Sequence, residues 1–175
     1  MRKILILRGN PGNYADEHGN TFNYLRGALH EGPALEFVKR KGYTGKVLDV
    51  EGWASEDSKQ TTIALDEFRR DQTVEGFYGF SAGGYNVKHI LDKLTDDERG
   101  RVHLVVVLGA PKNAIDKYWA STYGGKANWE LFYRLDPAGT KGGHMFGPEE
   151  LLEELKRKER NSRVRFSPMR TRARH

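Results

Sequence analysis

A serine between two glycines is the feature of this sequence that most directly indicates chemistry. Residues 79–83 read GFSAG, which places Ser81 in a G-x-S-x-G pattern. An apolar segment, 74–80, precedes it, and a segment with apolar residues at helical spacing, 82–94, follows it. A serine at such a strand-to-helix turn is presented at the end of the strand and can act as a nucleophile. The alternative is a glycine-rich turn whose backbone amides bind phosphate.

Strand-like and helix-like segments alternate along the chain and must position this serine. The sequence predicts strands at 3–7, 46–50, 74–80, 101–109 and 129–135, and helices at 33–42, 58–71, 82–94 and 148–158. Such alternation predicts βαβ units and a mainly parallel sheet. Ligands of such sheets bind at the carboxyl ends of the strands, near the point where the strand order reverses.

A second short segment carries a family resemblance. RGNPGN, Arg8 to Asn13, follows the first predicted strand and resembles the H-G-x-x-G oxyanion loop of the α/β-hydrolase superfamily, with Arg8 in place of the histidine. Over residues 3–155 the chain is similar to a small, lidless, cutinase- or lipase-like member. The resemblance implies a three-layer, doubly wound, mainly parallel five-stranded sheet, the minimal α/β-hydrolase fold. Taken alone, RGNPGN also fits a tight turn.

The resemblance also implies which groups would stabilise an oxyanion. The backbone amide of Ala82, directly after the serine, is one expected donor. The amide of Asn10 is the other, because Pro11 has no N–H group to donate. We therefore expect Asn10 and Ala82 to form an oxyanion hole.

A base and an acid are expected from the same superfamily, in the chain order serine, acid, histidine. Among the six histidines, His144 lies in a glycine-flanked loop, KGGHMFG, between the last predicted strand and the last helix, where the superfamily carries its base. Asp136 ends the fifth predicted strand and is the favoured acid. Asp116, after the fourth predicted strand, is the alternative.

The implied activity is hydrolysis of a small-molecule acyl ester by Ser81, His144 and Asp136 through an acyl-enzyme, as in esterases, lipases and thioesterases. No cofactor or metal is required. The aromatic residues Tyr118, Trp119 and Tyr123 are expected to line the substrate site. Two other interpretations stay open: a flavodoxin-like module that binds a phosphate or nucleotide, and a catalytically silent hydrolase fold that acts as an interaction protein.

Length and composition set the frame for these interpretations. The chain has 175 residues and no cysteine, which fits one domain without disulfides or thiolate metal sites. No apolar run is long enough for a membrane span, so we expect a cytoplasmic protein. Of the 29 Lys and Arg residues, nine lie from Lys156 onward, against one of the 24 acids. We expect a domain at 1–158 and a flexible basic tail at 159–175. Such a tail can bind nucleic acid or acidic surfaces, but a solvated terminus is the favoured interpretation.

Overall fold

A five-stranded parallel sheet forms the centre of the protein. The computed structural model describes residues 1–9, 13–15, 21–23, 28–53, 55, 57–111, 129–136 and 147–173. The sheet has the order β4-β1-β5-β6-β7, and every neighbouring pair is parallel. Its strands are β1 (Lys3–Leu7), β4 (Thr44–Val47), β5 (Val74–Phe80), β6 (Leu104–Pro111) and β7 (Glu130–Asp136). Two short strands, β2 (Asn13–Ala15) and β3 (Thr21–Asn23), form a separate antiparallel pair.

Helices cover both faces of the sheet. They are α1 (Ala28–Arg40), α2 (Lys59–Arg70), α3 (Ala82–Lys93), α4 (Asp96–Arg99) and α5 (Gly147–Ala173). Side chains of α2 and α3 pack in one apolar cluster, and side chains of α1 and α5 pack in the other. The predicted three-layer α/β fold with a mainly parallel five-stranded sheet is thereby confirmed.

The strands are buried on both faces, as their continuous apolar runs indicate. In β1, Leu5 and Leu7 contribute to the α2/α3 cluster, whereas Ile4 and Ile6 contribute to the α1/α5 cluster. This alternation follows from the two-residue period of a strand. All four side chains are at most 3% exposed, so β1 lies at the centre of the protein.

Some elements begin or end elsewhere than the sequence predicts. Helix α1 begins at Ala28, so Pro33 lies inside the helix rather than in its first turn. Helix α5 continues to Ala173, well past the predicted end at 158. Within this extension, Glu159 accepts a hydrogen bond of 2.6 Å from Arg40 at the end of α1. None of the helices in the described part of the chain is long and apolar enough to cross a membrane.

The strand order reverses at β1. This strand pairs with β4 on one side and with β5 on the other, so successive connections run in opposite directions from it. The carboxyl ends of β1 and β5 therefore flank the crevice where open α/β sheets bind ligands. Arg8 directly follows β1 and Ser81 directly follows β5, so these two residues lie on either side of this crevice.

Candidate functional site

Ser81 forms the entire turn between strand β5 and helix α3. Its backbone angles are φ 59° and ψ −122°, and it is the one non-glycine residue with positive φ among those described. Side chains other than glycine reach this region only at a cost of about 1–3 kcal/mol, and such residues concentrate at functional sites. The sequence prediction of a sharp strand-to-helix turn at this serine agrees with this geometry.

The two glycines of the motif are required by close backbone contacts. A Cβ atom on Gly79 would lie 2.6 Å from the amide nitrogen of Gly84, in the first turn of α3. A Cβ atom on Gly83 would lie 2.7 Å from the carbonyl oxygen of Arg8 and closer still to that of Leu7. Strand β5, helix α3 and the end of β1 therefore touch through backbone atoms alone. This contact is the physical reason for G-x-S-x-G at this turn.

Backbone hydrogen bonds hold Ser81 in its unusual conformation. Its amide donates to the carbonyl oxygen of Leu108 in β6, at 2.8 Å. Its carbonyl oxygen accepts from the amides of Gly84, at 3.0 Å, and Tyr85, at 3.3 Å. The hydroxyl makes no capping hydrogen bond to α3, although serine at a helix start commonly does so. The residue is 9% exposed. Three backbone hydrogen bonds thus hold Ser81 at the turn without a side-chain cap.

The segment that leaves β1 passes directly beside the serine. A Cβ atom on Gly9 would lie 3.0 Å from the Cβ atom of Ser81 and 3.2 Å from the carbonyl oxygen of Phe80. Ala82 is the first residue of α3, so its amide has no acceptor within the helix. The Ala82 amide therefore lies next to Ser81 without a helical acceptor, and its role as an oxyanion donor stays a prediction. Asn10, the other expected donor, lies outside the described residues and stays a prediction.

Two carboxylates hold Arg8 at the start of this segment. Its Nε donates to Glu31 at 2.5 Å, and its Nη1 donates to Asp49 at 2.9 Å. Burial lowers the pKa of the guanidinium, but the hydrogen bonds to Glu31 and Asp49 outweigh this effect and raise it. Arg8 therefore stays charged and ties the end of β1 to α1 and to the segment after β4.

A buried polar network behind the serine has no counterpart in the sequence predictions. Gln60 Nε2 donates to the carbonyl oxygens of Arg8, at 3.0 Å, and Val50, at 3.1 Å. Asn86 Nδ2 donates to Gln60 Oε1, at 2.8 Å, and to Ser58 Oγ, at 3.1 Å. Gln60 and Asn86 are fully buried. In the sequence each is one of several polar residues in an amphipathic helix, and no motif distinguishes it from the others.

The remaining predicted site residues are placed only in part. Asp136 is the last residue of β7 and is in register with Pro111, so its backbone lies at the carboxyl edge of the sheet. The predicted base His144, the alternative acid Asp116 and the expected substrate-binding residues Tyr118, Trp119 and Tyr123 lie outside the described residues. Their roles stay predictions. Comparison of the chain with protein-family models, with curated proteins and with solved structures finds no match.

A cavity of about 620 Å³ lies between helix α5 and strands β6 and β7. Leu108, whose carbonyl oxygen holds the Ser81 amide, is one of its walls. Its other walls come from β7 and α5 and are mostly charged: Tyr133, Gly147, Glu150, Leu151, Glu153, Glu154, Arg157 and Arg160. No group of three His, Asp or Glu side chains that could hold a metal ion occurs within the described ranges.

Proposed function

We propose that this protein is a serine hydrolase that cleaves a carboxylic ester, with Ser81 as the nucleophile. The observation that carries the proposal is the positive φ of Ser81 at the carboxyl end of β5. A strained non-glycine residue persists only where the surrounding structure holds it, and here the contacts of two glycines and the bond to Leu108 do so. A serine needed only to start a helix would have no use for this conformation.

The proposed reaction follows the Ser-His-Asp scheme. Ser81 Oγ attacks the ester carbonyl carbon while His144 takes the hydroxyl proton, which it then gives to the leaving alcohol. Water, activated by His144, hydrolyses the resulting acyl-enzyme. Asp136 keeps the imidazole in the required tautomer. The amides of Ala82 and Asn10 stabilise the oxyanion, and each is worth about 3 kcal/mol in the transition state.

The contacts of helix α3 favour this reaction over the phosphate-binding alternative. A phosphate at a helix start is held by several consecutive backbone amides. Here the Gly84 amide already donates to the Ser81 carbonyl oxygen at 3.0 Å. A Cβ atom on Gly52 would lie 2.9 Å from the Gly83 nitrogen, so Gly52 lies close beside that nitrogen and leaves little room there for a phosphate group. The Ala82 amide alone suits a single oxyanion better than a phosphate group.

Covalent labelling tests the proposal. A fluorophosphonate probe should modify Ser81, located by mass spectrometry of the labelled peptide, because the probe requires an activated serine. The Ser81→Ala and His144→Ala variants should not be labelled, whereas Ser55→Ala, a change at an exposed serine, should be labelled like the wild type. Absence of labelling in the wild type, or labelling at another serine, would overturn the proposal.

Ester hydrolysis by two aspartate variants identifies the acid. With p-nitrophenyl acetate, Asp136→Asn should lower kcat by about 10⁴-fold with little change in KM, because the amide favours the wrong histidine tautomer. Asp116→Asn should cost far less. The opposite result would assign the acid to Asp116. Activity in both variants with a dead Ser81→Ala enzyme would indicate a serine–histidine pair without an acid.

A further inference from the structure

A buried amide pair connects the chain segments on either side of the proposed oxyanion hole. Backbone carbonyl oxygens can only accept hydrogen bonds, so Gln60 must present its NH₂ group to the carbonyls of Arg8 and Val50. Its Oε1 then faces Asn86, which must in turn present its own NH₂ group. The orientation of both side amides is therefore fixed by the carbonyls of the two segments that leave β1 and β4.

One end of this pair holds the start of the segment that passes Ser81, and the other end lies in the helix that begins with Ala82. The Arg8 carbonyl, held by Gln60, immediately precedes Gly9, whose added Cβ atom would lie 3.0 Å from that of Ser81. Asn86 lies in α3, just over one turn after the Ala82 amide. A Cβ atom on Gly52 would lie 2.9 Å from both Gln60 Oε1 and the Gly83 nitrogen. Gln60 and the first turn of helix α3 therefore lie close together, on either side of Gly52.

We infer that Gln60 and Asn86 are positioning residues for the oxyanion hole, an inference that rests on the proposed hydrolase function. Neither residue is assigned a contact with the substrate. Gln60 fixes the carbonyl of Arg8 and thereby the position of Gly9 beside Ser81, and Asn86 fixes Gln60 relative to helix α3. Stabilisation of an oxyanion requires donors at hydrogen-bond distance, and a displacement of about 1 Å can cost about 100-fold in rate.

Removing the amide of Gln60 should slow the chemistry without weakening substrate binding. Gln60→Met keeps the length of the side chain but leaves the Arg8 and Val50 carbonyls without their buried donor, so the segment after β1 shifts. We expect the rate constant for fluorophosphonate labelling of Ser81 to fall by about 10- to 100-fold. With p-nitrophenyl acetate, kcat should fall by a similar factor while KM stays within twofold. Asn86→Leu should give a smaller loss, because Gln60 keeps its two carbonyl acceptors.

Two controls separate positioning from general loss of stability. Thr61→Val changes the next residue of α2, whose buried hydroxyl has no partner among the described groups, and should label within twofold of the wild type. Phe68→Leu creates a cavity at the far end of the same helix and lowers Tm without touching the network. All rates are measured well below the Tm of each variant. Phe68→Leu should label at the wild-type rate even if its Tm is as low as that of Gln60→Met.

The double variant tests whether Asn86 acts through Gln60. Once Gln60 is methionine, Asn86→Leu should add no further loss in labelling rate, whereas independent roles would multiply the two losses. Labelling of Gln60→Met within twofold of the wild type would overturn the inference, as would an equal loss in Phe68→Leu. Losses that multiply in the double variant would contradict the inference that Asn86 acts through Gln60. These results are distinct from an unlabelled wild type, which would overturn the proposed function itself.

Discussion

Helices α2, α3 and α4 each follow a residue with a hydroxyl group, and the beginnings of α3 and α4 differ most clearly. Thr95, before α4, has an extended backbone with φ −73° and ψ 166°. Its Oγ1 accepts from the Glu98 amide at 3.2 Å, and Glu98 Oε1 accepts from the Thr95 amide at 3.0 Å. Ser81, before α3, has φ 59° and makes no capping bond. Thr95 therefore stabilises its helix with its side chain, and Ser81 does not.

The backbone conformation of Ser81, rather than its residue type, is therefore what sets it apart as a candidate site. A four-residue helix at the surface, such as α4, depends on local hydrogen bonds at its ends. Helix α3 has eight buried residues and packs against β1, β5 and β6, so it needs no cap from its first serine. The tertiary structure can therefore hold Ser81 in a conformation that suits chemistry instead of helix initiation.

The largest expected effect on stability comes from adding a methyl group at Gly83, where α3 contacts the end of β1. Gly83→Ala should lower the free energy of unfolding by about 3 kcal/mol, because the new methyl group would collide with the carbonyl oxygens of Leu7 and Arg8. Gly100→Ala, at the end of α4, has a nearest contact of 3.3 Å and should change the same quantity by less than about 1 kcal/mol. Urea unfolding followed by circular dichroism measures both. Equal stability of the two variants would contradict the close packing at Gly83.

The next effect is a gain in stability at the proposed nucleophile. Ser81→Gly should raise the free energy of unfolding above that of the wild type by about 1 kcal/mol, because glycine adopts positive φ without strain. The same variant should lose fluorophosphonate labelling. A stability equal to or below that of the wild type would show that Ser81 is not strained in solution.

Thr95 should respond with the opposite sign. Thr95→Ala removes the cap and should lower the free energy of unfolding by about 1 kcal/mol, and Thr95→Gly should lower it by a few tenths (~0.3 kcal/mol). The comparison depends on this reversal, since glycine should stabilise at position 81 and destabilise at position 95. Thermal unfolding of Ser81→Gly, Thr95→Ala and Thr95→Gly in one buffer, alongside the wild type, gives the signs directly. The same sign at both positions would remove the distinction between them.

The smallest effect is a pH dependence that belongs to the capped helix. The hydrogen bond from Arg69, followed by that from the Thr95 amide, lowers the pKa of Glu98 from 4.5 to about 2. Because the folded pKa lies below the unfolded one, the stabilisation is present above pH 4.5 and is lost as the pH falls through about 2. We expect Glu98→Gln to be less stable than the wild type by less than about 1 kcal/mol at pH 6, and the difference to shrink steadily as the pH falls through about 2. A difference that does not change with pH would contradict the ionic origin.

The sequence predicts the buried strands better than the surface elements. The bounds of β1 and β5 are as predicted, because continuous apolar runs mark strands that are covered on both faces. Strand β4 ends at Val47, earlier than predicted, because Leu48 and Val50 continue the apolar pattern after the strand has ended. Helix α1 begins five residues before Pro33. The prediction places its start at the proline because proline favours the first turn of a helix, but that preference does not fix where a helix begins. Helix α4 is held by its cap rather than by an apolar stripe, and periodicity does not reveal it.

The candidate site is predictable only where it is local. The spacing of Gly79, Ser81 and Gly83 predicts the turn, because all three residues lie at the one place where β5 and α3 are in close backbone contact. Gln60 and Asn86 come from different helices, and their partners are backbone carbonyls of two further segments. No spacing in the sequence predicts these hydrogen bonds. They depend on how α2 and α3 pack on the sheet, which is a property of the tertiary structure.

The pairing of β1 with β5 in the sheet also determines when, during folding, the candidate site can form. Leu7 at the end of β1 pairs with Gly79, two residues before the serine. The chain must therefore close a long loop before these segments meet, and folds that depend on such distant pairs form more slowly than those with local contacts. A newly synthesised chain has no assembled site until β5 has been made and has docked beside β1. If the proposed function is correct, a chain in which β1 and β5 have not yet paired cannot hydrolyse esters, so esterase activity would indicate that these two strands have paired.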